Sequence, residues 1–264
     1  LRVVLNWFAN LYASRENLSR FFVQLKDIGI HYLEEMLLVD ENEIRIFEDC
    51  NLLNRTRFWS APDTFHSLSP EAKTQVHGLK LFTDGAIGSE SAALHRPFLG
   101  GEGTNRGMLI YSDSELASTI DHCLETEKSL AIHAIGDRAI EQTVSTLKQL
   151  TPRLARAPEI RIEHAQLITE EQARVAIDLG IKLCMQPNFS SDSSNYADRL
   201  DQAYCIGNNP FRMLIDKVGY TPGENLILGS DGMPHGIESA AHHSFFPKLP
   251  SQQISIPEFI AAYC

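Results

Sequence analysis

Residues 79–89 read LKLFTDGAIGS, an apolar, strand-like run that holds one lysine, Lys80, and then breaks into a turn marked by glycines. Three more short runs share this form, because each leads through apolar residues to one polar side chain and then ends in a polar turn. They are AIHAIGD at 131–137, RIEHA at 161–165 and ILGSDG at 227–232. We therefore interpret the four runs as four strand ends that together build one site.

Helix signals separate these strand-like runs. Apolar spacing predicts a helix over 17–28, and Asp40 is expected to cap a second helix over 40–53. The sequences SDSE at 112–115 and TEEQ at 169–172 have capping-box spacing, in which the first and fourth residues satisfy each other's backbone N–H groups. Each is expected to open a helix.

The strands and helices alternate in units of about 30 residues, and His133 and His164 occupy the same place in two consecutive units. Short strands are also expected at 30–33 and 57–60. This alternation is typical of a parallel sheet with helices outside it, and no G-x-G-x-x-G sequence favours a dinucleotide-binding fold. The repeat predicts an α/β fold of the (β/α)8 TIM-barrel type, as one domain over 1–264.

The composition excludes several classes of partner. A formal net charge of -11 over 264 residues argues against nucleic acid, which is bound through clustered Lys and Arg. No apolar run is long enough for a membrane helix, so no membrane partner is expected. The five cysteines are odd in number and lack C-x-x-C spacing, which predicts a reducing compartment, with the cytoplasm as the default. The sequence leaves the oligomeric state open.

Two segments have no clear periodic pattern. The sequence LRVVLNWF at 1–8 fits either a short buried strand or a piece of a helix. The segment 89–107 is long and rich in glycine and small residues, so we expect it to form a functional lid or binding loop.

Lys80 and Asp231 each allow two interpretations. An ammonium inside an apolar strand is costly to bury, so the plain interpretation of Lys80 is an ion pair with Asp84. In the alternative, its neutral amine reacts with carbon dioxide and forms a carbamate, which binds metal as a carboxylate does. Asp231 precedes a glycine, and an Asp-Gly pair is common in simple turns. His133 and His164 are stronger candidates, because two imidazoles on neighbouring strand ends can bind one metal ion.

Six motifs carry a resemblance to a known family. In chain order they are LKLFTDGAIGS with the SAAL that follows it, NRGMLIYS, HAIGDRAIE, RIEHAQLI, GIKLCMQP and LGSDGMP, between residues 79 and 234. With them the chain resembles the metal-dependent amidohydrolase superfamily, in the amidohydrolase 3 branch that includes N-substituted formamide deformylase. Some relatives in this branch are labelled exoenzyme regulatory proteins.

The resemblance implies a set of ligands and a reaction. Lys80 corresponds to the carboxylated lysine that bridges two divalent ions, with zinc as the expected metal. His133 and His164 correspond to ligands of one ion, and Asp231 corresponds to the ligand of the other and to the catalytic proton shuttle. In such hydrolases a metal-bridging hydroxide attacks a carbonyl, so the implied substrate is a small amide, formamide or N-acyl compound.

The sequence also departs from the family pattern. Members carry a His-x-His pair on the first barrel strand and a small β-sandwich, whereas this sequence has no His-x-His and only the adjacent pair at 242–243. We therefore expect an internal fragment of a barrel, truncated at both ends and inactive in isolation. Glu90 stands where relatives usually have an arginine, which adds an anionic group near the expected pocket.

Two functions follow from the sequence. The first is a metal-dependent hydrolase of carbon–nitrogen bonds other than peptide bonds. The second is a regulatory or interaction barrel without catalysis. Four ligand-type residues at four strand ends favour the hydrolase, because a scaffold has no physical need for a lysine and two histidines at those places.

Overall fold

The computed structural model describes residues 14–100, 103–231 and 236–263. The chain forms two compact units, the N-terminal unit Leu1–Lys80 and the C-terminal unit Leu81–Cys264. The element predicted over residues 1–8 lies outside the described residues, and a single domain over 1–264 stays a prediction. No helix among the described residues combines the length and the apolar character that a membrane crossing requires.

The described residues contain the strands β1 Leu33–Leu38, β2 Thr56–Ser60, β3 Val76–Phe82, β4 Ser129–Ala134, β5 Ile160–His164, β6 Lys182–Met185 and β7 Leu226–Leu228. The α-helices are α1 Arg15–Asp27, α2 Glu41–Asp49, α3 Pro62–Ser67, α4 Pro70–Gln75, α5 Asp113–Leu124, α6 Asp137–Gln149, α7 Thr151–Leu154, α8 Glu170–Asp178, α9 Asp192–Asn195, α10 Gln202–Gly207, α11 Phe211–Met213, α12 Ile237–Phe245 and α13 Ile256–Tyr263. Short 3-10 turns span Leu53–Arg55, Pro187–Ser191 and Pro250–Gln252, and a π-helical turn spans Leu214–Val218.

The N-terminal unit packs α1 and α2 against a parallel sheet. β1 pairs with β2, and β2 pairs with β3. Helix α1 confirms the helix predicted over 17–28, and Asp40 caps α2 as predicted through the backbone N–H groups of its first turn. Phe22, Phe47 and Phe58 meet edge to face, with centroid separations of 5.9 and 5.1 Å, so one aromatic row joins both helices to β2.

The first strand differs from its prediction. Apolar residues suggested a strand at 30–33, but β1 begins at Leu33 and ends at Leu38. Glu34 and Glu35 hide this strand in the sequence because they interrupt the apolar pattern. The structure accommodates both, since Glu34 lies 3.5 Å from the guanidinium of Arg57 on β2 and Glu35 accepts a hydrogen bond from the backbone N–H of Leu37.

The C-terminal unit places β4, β5, β6 and β7 side by side in chain order, and every pair is parallel. Helices α6 and α7 connect β4 to β5, and α8 connects β5 to β6. Both predicted capping boxes are present and open α5 and α8. A doubly wound sheet reverses its strand order at one point, whereas a barrel keeps chain order, so the prediction of parallel α/β units of the barrel type is confirmed.

The two faces of this sheet differ in character. Ile132 and Ile162 lie in register on one face, which is apolar and fully buried. Residues one position away lie on the other face, where His133 is in register with Glu163. Arg161 shares that face and pairs with Glu163 at 2.5 Å, although each residue is less than 5% exposed. The polar face therefore carries a buried ion pair immediately before the strand end.

Candidate metal centre

His133 and His164 meet at the carboxyl ends of β4 and β5. Their rings lie edge to face, with centroids 4.6 Å apart and an interplanar angle of 71°. The strand register alone does not explain this contact, because His164 is in register with Ala134 and not with His133. A regular continuation of β5 would put the two imidazoles on opposite faces of the sheet.

The backbone of His164 resolves that mismatch. Its φ angle is 71°, and Ala165 follows with a φ of 45°, so both residues lie in the left-handed region that side chains with a Cβ rarely adopt. Rotation about the N–Cα bond changes the direction of Cβ relative to the strand. The alternation of β5 therefore ends at His164, whose side chain turns toward His133.

Asp231 joins the two histidines from the turn after β7. Its φ angle of 52° is also left-handed. One carboxylate oxygen lies 3.9 Å from His164 Nδ1, and about half of the side chain is exposed. The structure thus brings together His133, His164 and Asp231 within the C-terminal unit.

Hydrogen bonds fix which nitrogen of His133 carries a proton. Nε2 lies 3.0 Å from the backbone carbonyl of Gly85 and 3.4 Å from a carboxylate oxygen of Asp84. A carbonyl oxygen only accepts hydrogen bonds, so Nε2 is the donor. In the neutral ring the lone pair that could bind a metal is therefore on Nδ1.

Aromatic rings flank the histidine pair on both sides. Phe82, at the end of β3, lies 5.2 Å from the ring of His133, and Phe189 stacks on His164 at 5.7 Å with an angle of 19°. These rings cover the flanks of the imidazoles with apolar surface. His133 and His164 are 9% and 7% exposed, whereas Phe82 is 36% exposed and lies at the solvent-facing edge of the pair.

Asp84 anchors the backbone around His133. Its buried carboxylate accepts hydrogen bonds from the N–H groups of Ala93, Ile135 and Gly136, at 2.9, 3.1 and 2.8 Å. Two of these amides belong to the turn between β4 and α6, and the third belongs to the long loop after β3. One carboxylate therefore ties that loop to the turn that follows His133.

The loop expected over 89–107 is also tied to itself. Leu94 N–H donates to the carbonyl of Arg106 at 2.9 Å, and the side-chain amide of Asn105 donates to the carbonyl of Glu90 at 3.1 Å. Glu90 has a left-handed φ of 53°. The described part of this loop is thus compact, and its role as a lid or binding loop stays a prediction.

A second buried carboxylate, Asp137, connects the loop after β3 with the start of α6 and with Tyr204. It accepts backbone N–H bonds from His95 and Arg138, both at 3.0 Å, and the hydroxyl of Tyr204 donates to it at 2.9 Å. Burial, reinforced by the negative charge of Asp137, raises the pKa of Tyr204 to about 12. The hydroxyl therefore stays protonated and remains a donor throughout the physiological pH range.

Lys80 is the last residue of the N-terminal unit, and only 4% of it is exposed. The other three candidate ligands lie in the C-terminal unit. The bridging role of Lys80, its carboxylation and its ion pair with Asp84 therefore stay predictions.

The family model of the amidohydrolase family matches residues 34–244, which is most of the chain. The chain belongs to the amidohydrolase family. The match contains all four candidate ligands, and it confirms the resemblance carried by the six sequence motifs.

Two curated relatives of this amidohydrolase chain are longer proteins. The chain is 34% identical over 123 residues to a putative amidohydrolase, YtcJ, of Bacillus subtilis, a match that covers 46% of the chain and 23% of the relative. It is 25% identical over 280 aligned residues to the protein LONG AFTER FAR-RED 3 of Arabidopsis thaliana, covering 95% of the chain and 46% of that protein. The chain thus spans less than half the length of these relatives.

Solved structures share the fold. Uncharacterized metal-dependent hydrolases from Pyrococcus furiosus and Pyrococcus horikoshii each match with a TM-score of 0.75, at 18% and 20% identity. The matches cover 96% and 97% of the chain, but 55% and 56% of those proteins. This likeness confirms the predicted fold class, an incomplete TIM-type α/β barrel.

The candidate site of this amidohydrolase family member has the donor types that a divalent ion requires. Two imidazoles and one carboxylate lie together, and this set suits zinc while also admitting iron, manganese or nickel. Among residues 14–100, 103–231 and 236–263, however, no three His, Cys, Asp or Glu side chains are arranged so that they could hold an ion between them. The residues therefore fit a divalent ion in donor type, while the described side chains do not converge on one three-ligand site.

Sequence reasoning missed three residues of this site. Asp84 was considered only as an ion-pair partner of Lys80, and Gln186 and Asn188 were given no role. Gln186 follows β6 directly, Asp84 lies two residues after β3 and Asn188 lies three residues after β6. In a barrel, such positions place a side chain at the rim where active sites lie. Strand-end position was therefore the signal available for finding them.

Proposed function

We propose that this chain carries the metal-binding part of a hydrolase that cleaves carbon–nitrogen bonds in small amides, formamides or N-acyl compounds. The observation that supports it best is the meeting of His133, His164 and Asp231 at the ends of neighbouring strands in a member of the amidohydrolase family. Water adds across the bond in such a reaction. The hydroxyl goes to the carbonyl carbon, and a proton goes to the leaving nitrogen.

Each residue has a distinct part in the proposal. His133 and His164 would hold one divalent ion and Asp231 a second, with Lys80 as a further ligand in its carbamate form and zinc as the metal. A bound ion supplies a water of lowered pKa and polarises the substrate carbonyl. The half-exposed carboxylate of Asp231 takes a proton from the attacking water and delivers it to the leaving nitrogen. Phe82 and Phe189 contact the two imidazole rings and restrict their rotation.

The complete protein is proposed to be longer than this chain. The chain covers 23% and 46% of two curated relatives, and it contains no His-x-His sequence. A second pair of imidazoles supplied from outside the chain would complete a binuclear site. The proposed partner is a small-molecule substrate, with no role for nucleic acid, and the cytoplasm is the proposed compartment.

A non-catalytic regulatory or interaction barrel is the second candidate. One observation favours it, because the described residues contain no preassembled group of three conventional ligands. The two functions differ in metal dependence, since a scaffold requires no ion at these strand ends.

The test is an activity panel on the complete protein and on residues 1–264, each loaded with zinc and compared with a chelator-treated sample. The panel contains a formamide, an N-acetyl amino acid, an ester and a dipeptide ending in proline. We expect the complete protein to hydrolyse at least one non-peptide amide only when metal is present. Absence of turnover together with absence of bound metal would favour the non-catalytic barrel.

A further inference from the structure

Gln186 stands at the end of β6 and makes two hydrogen bonds that define its orientation. Its side-chain nitrogen donates to the carbonyl of Cys184 at 3.3 Å, and its side-chain oxygen lies 2.8 Å from His164 Nδ1. The backbone carbonyl of Gln186 accepts from the amide of Asn209 at 2.9 Å, and the residue is 3% exposed. Both ends of this glutamine are therefore fixed.

The orientation of Gln186 decides the protonation of His164. An amide oxygen only accepts hydrogen bonds, so His164 Nδ1 must carry the proton in this contact. In the neutral ring the lone pair is then on Nε2. His133 has the opposite arrangement, because its Nε2 donates to the carbonyl of Gly85.

Asn188 makes a comparable contact on the other side of β6. Its side-chain amide donates to the carbonyl of Ser230 at 3.1 Å, and the residue is 7% exposed. Ser230 immediately precedes Asp231, whose left-handed φ of 52° directs its carboxylate. Asn188 thus holds the peptide that leads into a candidate ligand.

We propose that Gln186 and Asn188 are positioning residues for the candidate metal centre. β6 supplies no candidate ligand itself, yet the segment after it orients ligands on both neighbouring strands. Gln186 selects the tautomer of His164, and Asn188 sets the turn of Asp231. This inference rests on the proposed function, because the orientation of the two ligands matters only if they bind a metal ion.

A hydrogen-bond partner improves metal binding by a histidine because an imidazole without one is not fixed in a single state. A neutral histidine in water populates both tautomers, and its ring rotates. A hydrogen bond to one nitrogen fixes the ring, leaves the other nitrogen deprotonated and makes it a better donor to a metal ion. Removal of such a partner typically weakens metal binding by about 10- to 100-fold.

The first arm of the test needs no metal. Nitrogen-15 NMR of metal-free residues 1–264, with His164 assigned, reports which ring nitrogen is protonated. We expect the Nδ1–H tautomer in the wild type and in Gln186→Glu, and a mixture in Gln186→Met. Gln142→Met is the matched control, because Gln142 is also buried but donates to Tyr111 and Asp113 instead. An Nε2–H tautomer in the wild type, or no change in Gln186→Met, overturns the inference.

The second arm measures the zinc affinity of the complete protein by competition with a chelator, in the wild type, Gln186→Met, Gln186→Glu and Asn188→Asp. The Met and Glu variants both lose the donor to Cys184 and differ in the acceptor facing His164. We expect 10- to 100-fold weaker binding for Gln186→Met and restored binding for Gln186→Glu. Asn188→Asp, which lacks the donor to Ser230, should also bind more weakly.

The two arms separate the inference from the proposed function. If the wild type binds zinc and Gln186→Met binds it equally tightly, the positioning role is wrong. If the wild-type complete protein binds no zinc at all, the proposed function fails. The His164 tautomer, measured without metal in the wild type and in Gln186→Glu, then still tests whether Gln186 fixes the protonation of the imidazole. This holds even if the Met variant folds poorly.

Discussion

At the scale of single residues, the backbone of His164 departs most clearly from an ordinary strand. A left-handed φ at a residue with a Cβ costs about 1–3 kcal/mol and persists only where surrounding contacts enforce it. Asp231 carries the same type of strain. The same conformation occurs at other described residues, such as Asn51, Glu90 and Glu127, so it sets the direction of the two side chains and is not by itself a sign of function.

Replacement of either histidine should reduce bound metal. His133→Ala and His164→Ala each remove one imidazole from the pair, so we expect a loss of at least about 10-fold in zinc affinity. Elemental analysis after gel filtration provides the measurement. His95→Ala is the control, because His95 is an exposed histidine that pairs with Glu141 at the surface. Metal content equal to that of the wild type in both variants would argue against these ligands.

Lys80→Ala should abolish hydrolysis in the complete protein, since no bridging ligand remains. A short carboxylic acid added to the variant should restore part of the rate by replacing the carbamate. Steady-state kinetics with and without the acid tests this, and Lys148→Ala, at an exposed position of α6, serves as control. Full activity in Lys80→Ala would remove the lysine from the site.

The residue types of the candidate site were predictable from the sequence, but the directions of their side chains were not. His133 and His164 were found because each ends an apolar run, which is a local property. The turn of His164 toward His133 depends on its left-handed backbone, and no neighbouring glycine in the sequence indicates that conformation. The contacts of Asp84 were hidden for another reason, because two of the amides that it binds lie about 50 residues further along the chain.

At the scale of elements, the start of α6 depends on a close backbone approach. A Cβ on Gly136 would lie 2.0 Å from the carbonyl oxygen of Ala93, which is backbone and cannot yield as a flexible side chain does. Gly136→Ala should therefore lower the free energy of unfolding by about 2 kcal/mol or more. It should also displace the amide that donates to Asp84.

Denaturation with urea measures this effect, and Gly207→Ala is the matched control. Gly207 ends α10, and a Cβ there would meet no atom within 4 Å. That variant should be neutral or gain up to about 1 kcal/mol, because alanine restricts the unfolded chain. Equal stability of the two variants would contradict the close approach at Gly136.

Helix α2 should make the stability of the N-terminal unit depend on pH. Burial, followed by the nearby charge of Glu35, raises the pKa of Glu43 to about 7. The folded state therefore holds this proton more tightly than the unfolded state does. Its stabilising contribution is full at low pH and is lost as pH rises toward and through 7.

Glu43→Gln should remove part of that dependence. Between pH 5 and pH 8 we expect the wild type to lose about 1–2 kcal/mol through this group, a loss that the glutamine variant does not share. Unfolding by urea at both pH values provides the measurement. Glu48→Gln, at an exposed position on the same helix, is the control. A wild type more stable at pH 8 than the Glu43→Gln variant would contradict this assignment.

At the scale of the whole molecule, the repeating strand and helix pattern was enough to predict the fold class. The parallel pairing of β4 to β7 in chain order follows from apolar runs that recur at regular intervals. The position of β1 did not follow, because its glutamates are stabilised by partners elsewhere in the fold. Family membership was predictable because the motifs fall at strand ends and turns, where short stretches of sequence contain both the candidate ligands and the turn residues that orient them.

The number of bound ions should distinguish this chain from the complete protein. We expect about two zinc ions per complete protein and at most one for residues 1–264, with no turnover by the shorter chain. Elemental analysis of both proteins, purified without chelator, tests the expectation. Two ions bound by residues 1–264 would show that the chain carries every ligand, and the proposal of a ligand pair outside it would be wrong.

The carboxylate of Asp84 has a consequence for the timing of backbone motion. The amides of Ala93, Ile135 and Gly136 share this one acceptor, although they come from a loop and from the start of a helix. Movement of this acceptor would free all three amides at once, so we expect the protection factors of these amide hydrogens in heavy water to be similar. The segment after β3 would then move together with the turn beyond His133, and access to the imidazoles would be set by one shared opening rate.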